Sequence, residues 1–318
     1  MATDLLVLAG AIAVLAASGA AIVRSLARVA SFLRISEYFV GFVILSFATS
    51  LPEMFVGINS ALLGRPQIVL GNVFGANIAN LTYIIGLPVL LAGGIKIRSD
   101  RTVKDSGWMV GAVVLPLVLL LLGPKIARLE GIVLLAAFAA YAVRLVRRGR
   151  SASIKACPCP GPREAAVAAL IFVAALVALY FSADIVVARA VRLAADLGVP
   201  PLVISLFMVS FGTSLPELVS SVSAVLRGHT EMGVGNAIGS VVVNATAVLG
   251  VSAVIRPLAA NGTLLIVAAA VMVFAAILLT ALVEKGDRLS WLDGATLVLL
   301  YLLFLAGEFY LQGRPPGA

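Results

Sequence analysis

The sequence predicts an all-α polytopic membrane protein: ten transmembrane helices forming two inverted five-helix repeats, with helices 2 and 7 broken. Three observations carry that prediction. Of the 318 residues, 62% are hydrophobic and 12% charged, and the mean hydropathy is +1.13. Soluble domains run about 45–50% apolar and about 25% charged. Ten apolar runs have the length a bilayer demands, and one polar motif occurs twice at a fixed offset.

The runs fall at 4–23, 37–62, 68–92, 107–123, 126–146, 165–188, 200–226, 232–255, 262–283 and 289–311. Each suits a bilayer core of about 30 Å, which takes about 20 apolar residues in a helix. The first is read as a span and not a signal core, since Asp4 is the only charge ahead of it and signal cores run about 7–15 residues. Ten spans put both termini on one side. Counting Lys and Arg by alternate loops gives seven on one side (Arg65, Lys125, Arg128, Arg189, Arg192, Arg256, Arg314) and sixteen on the other. The positive-inside rule then places the loop between spans 5 and 6 in the cytoplasm and both termini outside. The chain divides into a first repeat at 1–146, a cytoplasmic linker at 147–163 and a second repeat at 164–318. The net charge of +8 therefore reads as topology, not as a nucleic-acid surface. Cys157 and Cys159, inside the linker, are too few for a metal site of their own.

The repeat appears at an offset of 164 residues. Ser46-Phe47-Ala48-Thr49-Ser50-Leu51-Pro52-Glu53 returns as Ser210-Phe211-Gly212-Thr213-Ser214-Leu215-Pro216-Glu217. Gly71-Asn72, Gly75, Asn80, Thr82 and Gly86 return as Gly235-Asn236, Gly239, Asn244, Thr246 and Gly250. Over 46–86 there are 15 ungapped identities, concentrated on polar and special-geometry residues. Five spans separate the copies, an odd number, so equivalent residues run through the bilayer in opposite directions. Inverted repeats of this kind mark alternating-access transporters, with the substrate site near the midplane where the repeats meet.

Glu53 and Glu217 lie in the middle of apolar spans, where an acid is costly and signals function. The proline before each removes a helical hydrogen bond, which is expected to free carbonyls near Ser46 to Thr49 and Ser210 to Thr213. Thr49, Ser50, Thr213 and Ser214 add hydroxyls at the same level, and Asn72, Asn80, Asn236 and Asn244 supply amides from spans 3 and 8. Every candidate ligand is an oxygen or an amide, which suits hard cations such as Ca²⁺ and Na⁺ and not metals that prefer nitrogen or sulfur. Two carboxylates neutralise one Ca²⁺ or two Na⁺, the mutual exclusion an antiporter requires.

The two copies of Thr-Ser-Leu-Pro-Glu, each followed by Gly-Asn-x-x-Gly, resemble the alpha-1 and alpha-2 repeats of the sodium/calcium exchanger family. The resemblance implies that Glu53 and Glu217 are shared Ca²⁺ and Na⁺ ligands, joined by the carbonyls of Thr49 and Thr213. It further implies that Ser50 and Ser214, with the carbonyls of Ser46 and Ser210, form flanking Na⁺ sites, that Ser240 serves one of them, and that Asn80 and Asn244 line the middle. Three positions depart from the family pattern. Ala76 replaces the serine equivalent to Ser240, which bears on Na⁺ stoichiometry. Asn244 stands where potassium-dependent members carry aspartate, and Ala48 replaces a glycine.

The expected activity is antiport of Na⁺ against Ca²⁺ by alternating access, in the direction of Ca²⁺ extrusion, with the two ions bound as substrates and no cofactor. The expected setting is a plasma or inner membrane, with no obligatory protein partner and no nucleic acid. The same glutamate pair would also serve a Ca²⁺/H⁺ or Na⁺/H⁺ antiporter. A cation channel fits the inverted halves less well, and no nucleophile–base set or HExxH motif points to an enzyme.

Overall fold

The computed structural model describes residues 2–33, 39–97, 99–123, 125–149, 160–196, 212–259 and 263–312. Ser210, the start of the seventh apolar run and the cysteines of the linker lie outside the described residues. The helices are α1 (Ala2–Leu33), α2 (Val40–Thr49), α3 (Leu51–Leu62), α4 (Pro66–Leu81), α5 (Tyr83–Leu91), α6 (Ser99–Leu122), α7 (Arg128–Gly149), α8 (Pro162–Asp196), α9 (Leu215–Leu226), α10 (Thr230–Ile255), α11 (Thr263–Glu284) and α12 (Trp291–Gln312). Among the described residues four short strands join them: β1 (Gly94–Lys96), β2 (Lys125–Ile126), β3 (Leu258–Ala259) and β4 (Arg288–Ser290).

Among the described residues, seven spans are long and apolar enough to cross a membrane unaided, α4 with α5 counting as one, and α2 with α3 makes an eighth bent by 43°. The break falls at Ser50, and Pro52 and Glu53 occupy the first turn of α3. Proline is favoured in a first turn, where its missing N–H has no partner to lose, so the same residue that ends α2 starts α3. Pro216 and Glu217 stand in the same relation to α9. α7 occupies the fifth apolar run but carries Arg128, Glu130 and Arg144 along it, and these charges keep it out of the seven.

Burial separates two kinds of helix. In α4 with α5, and in α10, 83% of the most apolar stretch is buried inside the protein, against 39% in α1 and 28% in α8. The helices next to the glutamates thus form the centre, while α1 and α8 pack side by side and leave Leu6, Ile12, Leu170 and Phe181 exposed. In lipid the exclusion of water no longer drives helices together, and close packing of small residues takes over. Gly86 of α5 and Gly294 of α12 show this: a Cβ on either would stand 2.7–2.8 Å from the other's carbonyl oxygen. Gly250 of α10 and Gly131 of α7 meet in the same way, at 2.9 Å.

The strands carry the repeat offset beyond the motif. β1 pairs antiparallel with β4, placing Gly94 opposite Ser290 and Ile95 opposite Leu289. β2 pairs antiparallel with β3, placing Ile126 opposite Leu258 and Lys125 opposite Ala259. The offset of 164 carries Gly94 onto Leu258 and Ile126 onto Ser290, so each ladder is the other with the copies exchanged.

Candidate ion-binding site

The site is assembled from α2 and α3 of the first copy, α9 of the second, and the buried flanks of α4 and α10. Glu53, Glu217, Thr49, Ser50, Ser214, Asn80, Asn244, Ser240 and Ser46 are all fully buried. No lysine or arginine occurs between positions 35 and 64, 66 and 95, or 228 and 255, so the carboxylates have no basic residue on these segments. Among the described residues no third His, Cys, Asp or Glu joins them. Everything else at the centre is a neutral oxygen or amide.

Hydrogen bonds tie each copy to the other. The Ser50 hydroxyl donates to the Glu217 carboxylate at 3.5 Å. The Thr49 hydroxyl donates to the Asn236 amide oxygen at 3.3 Å. Each asparagine next to a motif glycine braces its own break: Asn72 donates to the Glu53 carbonyl at 3.5 Å and Asn236 to the Glu217 carbonyl at 3.4 Å. Asn236 also donates to the Ser221 hydroxyl at 3.0 Å.

Among the described residues, nine buried polar atoms at this centre have no hydrogen-bond partner: both Glu53 carboxylate oxygens, Oε2 of Glu217, the hydroxyls of Thr213, Ser214 and Ser240, Oδ1 of Asn80, and both amide atoms of Asn244. Buried polar groups are nearly always paired, so a cluster of unpaired polar atoms, eight of them oxygens, marks a place built for something else. Seven of the nine sit on proposed oxygen ligands other than Asn244. A cation would satisfy them, since it replaces a shed hydration shell with fixed oxygens.

The helices open where the amides lie. Asn244 sits in a π-helical turn of α10 at Val243–Val248, and Asn80 lies two residues before the interruption at Thr82 between α4 and α5. Thr82 and Thr246, equivalent by the offset, each bond the carbonyl four residues back at 2.5 Å. Such back-bonding bends helices, and π turns cluster at functional sites. The close fit of α10 to α2 depends on Gly239: a Cβ there would lie 2.7 Å from Ser46 Cβ and collide with the Phe42 carbonyl.

The carbonyls behave differently from the expectation that the proline leaves those near Ser46 to Thr49 free. The Ser46 carbonyl accepts the Ser50 N–H at 3.0 Å, and the Ser46 hydroxyl turns back onto the Phe42 carbonyl. The Ala48 carbonyl, which Pro52 has no N–H to meet, instead accepts the phenol of Tyr180 on α8, and the Thr49 carbonyl accepts the same phenol at 3.2 Å. Sequence reasoning passed over Tyr180. The available signal was its place at the middle of α8, since membrane tyrosines favour the ends of spans.

A membrane-embedded, oxygen-lined centre built symmetrically from two copies of one motif defines an ion-translocating transporter. Comparison with known proteins identifies which kind. The family model for sodium/calcium exchanger proteins matches residues 3–147 and 167–310, and the chain belongs to that family of membrane antiporters. The protein named CaxA from Alkalimonas amylolytica is 31% identical over 286 residues, covering 86% of this chain and 88% of its own. The sodium/calcium exchanger MaX1 of Methanosarcina acetivorans is 27% identical, covering 91% of this chain and 93% of its own. Among solved structures, the sodium–calcium exchanger NCX_Mj soaked with 10 mM Na⁺ and 10 mM Sr²⁺ superposes with a TM-score of 0.83 at 26% identity, covering 95% of this chain and 97% of that one.

Proposed function

We propose that the protein exchanges Na⁺ for Ca²⁺ by alternating access and works in the direction of Ca²⁺ extrusion. The observation that carries this reading is the unpaired oxygen cluster around Glu53 and Glu217, to which both copies of the motif contribute. One Ca²⁺ bound between the carboxylates neutralises them, and so do two Na⁺; either load makes the centre electrically tolerable in a low-dielectric setting, and the two loads exclude each other. Thr49, Thr213, Ser46, Ser210, Ser50, Ser214 and Ser240 complete the coordination, while Asn80 and Asn244 line its middle without adding charge.

In this reading the chain forms ten spans as two inverted five-helix repeats, 1–146 and 164–318, with residues 147–163 cytoplasmic and both termini outside. α1 and α8 move as a pair across the buried core, and their packing against each other supports that division of labour. If three Na⁺ exchange for one Ca²⁺, one net charge crosses per cycle, worth about 2.3 kcal/mol per 100 mV.

The test is ⁴⁵Ca²⁺ uptake into proteoliposomes loaded with Na⁺ or choline, comparing wild type with Glu53→Gln and Glu217→Gln. Uptake that needs internal Na⁺ and disappears in both variants is expected. Uptake indifferent to Na⁺ but collapsed by dissipating a pH gradient overturns sodium coupling in favour of the proton.

A further inference from the structure

We propose that Tyr180 is a removable cap on the ion site: its phenol occupies the carbonyl oxygens of Ala48 and Thr49, and a cation must displace it to bind there. The inference rests on the exchanger reading above. Pro52 deprives the Ala48 carbonyl of its helical donor, and a buried carbonyl at membrane depth demands a substitute. Tyr180 supplies one hydroxyl to two adjacent carbonyls. The Thr49 carbonyl belongs to the centre, because the hydroxyl of the same residue bonds Asn236 across the copies.

The cap is held by α8, not by the core that carries the glutamates. α8 packs against α1, leaves most of its surface outside the protein interior, and reaches the break through this phenol. Displacing the phenol therefore frees α8 from α2, and re-forming the bond draws α8 back once the ion has left. Binding and helix movement become one event. The arrangement is one-sided. The offset of 164 places Ala16 of α1 at the position of Tyr180, and alanine has no donor for the carbonyls of Gly212 and Thr213. The two sides of the site are thus unequal: a phenol competes with the ion on the α8 side, and the equivalent position of α1 brings none.

Tyr180→Phe keeps the ring and removes the donor. In Na⁺-loaded proteoliposomes the variant should lower the K0.5 for Ca²⁺ by about 2- to 10-fold, the equivalent of one net hydrogen bond no longer broken on binding. A residue that only packs would lower turnover or thermal stability without a gain in affinity. Ala16→Tyr, which installs a donor at the second mouth, should raise K0.5. If Tyr180→Phe transports too slowly to measure, equilibrium ⁴⁵Ca²⁺ binding to the purified protein gives the same comparison. An unchanged K0.5 overturns the cap, and a raised K0.5 overturns it by making the phenol a ligand. Wild-type protein without Na⁺-dependent uptake defeats the exchanger reading itself, which separates the two failures.

Discussion

The Ser50 hydroxyl donates to the Glu217 carboxylate at 3.5 Å, whereas the equivalent hydroxyl, Ser214, has no partner. Two residues in matching sequence positions therefore do different work in this conformation. Ser50 orients an acid of the opposite copy, so Ser50→Ala should weaken both ions, raising K0.5 for Na⁺ and Ca²⁺ by about 3- to 10-fold, the scale of one hydrogen bond to a charged group. Ser214→Ala should raise K0.5 for Na⁺ alone. Paired Na⁺ and Ca²⁺ titrations of exchange in proteoliposomes check the contrast, and equal effects of the two variants would contradict it.

Asn236 makes three side-chain hydrogen bonds, to Glu217, Ser221 and Thr49, against one for Asn72. Interhelical bonds in membranes average about 0.6 kcal/mol and reach about 1.7. Asn236→Ala should therefore destabilise the protein by about 1–3 kcal/mol and Asn72→Ala by about 0.5 kcal/mol on the same scale. Thermal unfolding in one detergent ranks them, and a lower midpoint for the Asn72 variant would refute the ordering.

Ala76 is buried where the second copy carries the unpaired hydroxyl of Ser240. Ala76→Ser restores the missing oxygen and should lower K0.5 for Na⁺ and steepen its cooperativity. Ser240→Ala should do the reverse. Hill analysis of Na⁺-dependent Ca²⁺ efflux reads both, and a shift of the same sign in the two variants would count against the assignment.

Gly239 sits where α10 touches α2, with no room for a Cβ beside Ser46 and the Phe42 carbonyl. The backbone atom cannot rotate away as a side chain would, so Gly239→Val should force the helices apart at a cost of about 1–3 kcal/mol. Because this contact borders Ser46, the variant should also lose Ca²⁺ affinity. A folded variant with wild-type midpoint and affinity would show that the contact is dispensable.

Much of this centre was legible in the sequence, because its signals are chemical and local. An acid in an apolar run, a proline one residue before it and a recurrence at one offset need no coordinates to interpret, and the paired ladders of β1 with β4 and β2 with β3 extend that recurrence into the packing. The fate of the freed carbonyls was not legible. Pro52 announces that Ala48 loses its donor, but the replacement comes from Tyr180, 132 residues away in the chain. The same holds for Ser50 and Ser214, indistinguishable in their motifs and different in their partners.

The sequence by itself determined that the chain is helical and membrane-embedded, that the second span breaks before Pro52, and which two acids follow the motif prolines. Those features follow from covalent facts: apolar side chains prefer lipid, and proline has no N–H. Only the tertiary structure decided which hydroxyl faces which carboxylate, which carbonyls are capped, and which of two equivalent positions is occupied. Those contacts depend on how each helix is rotated and how closely it approaches its neighbours, and small residues such as Gly239 set that approach through atoms far apart in sequence.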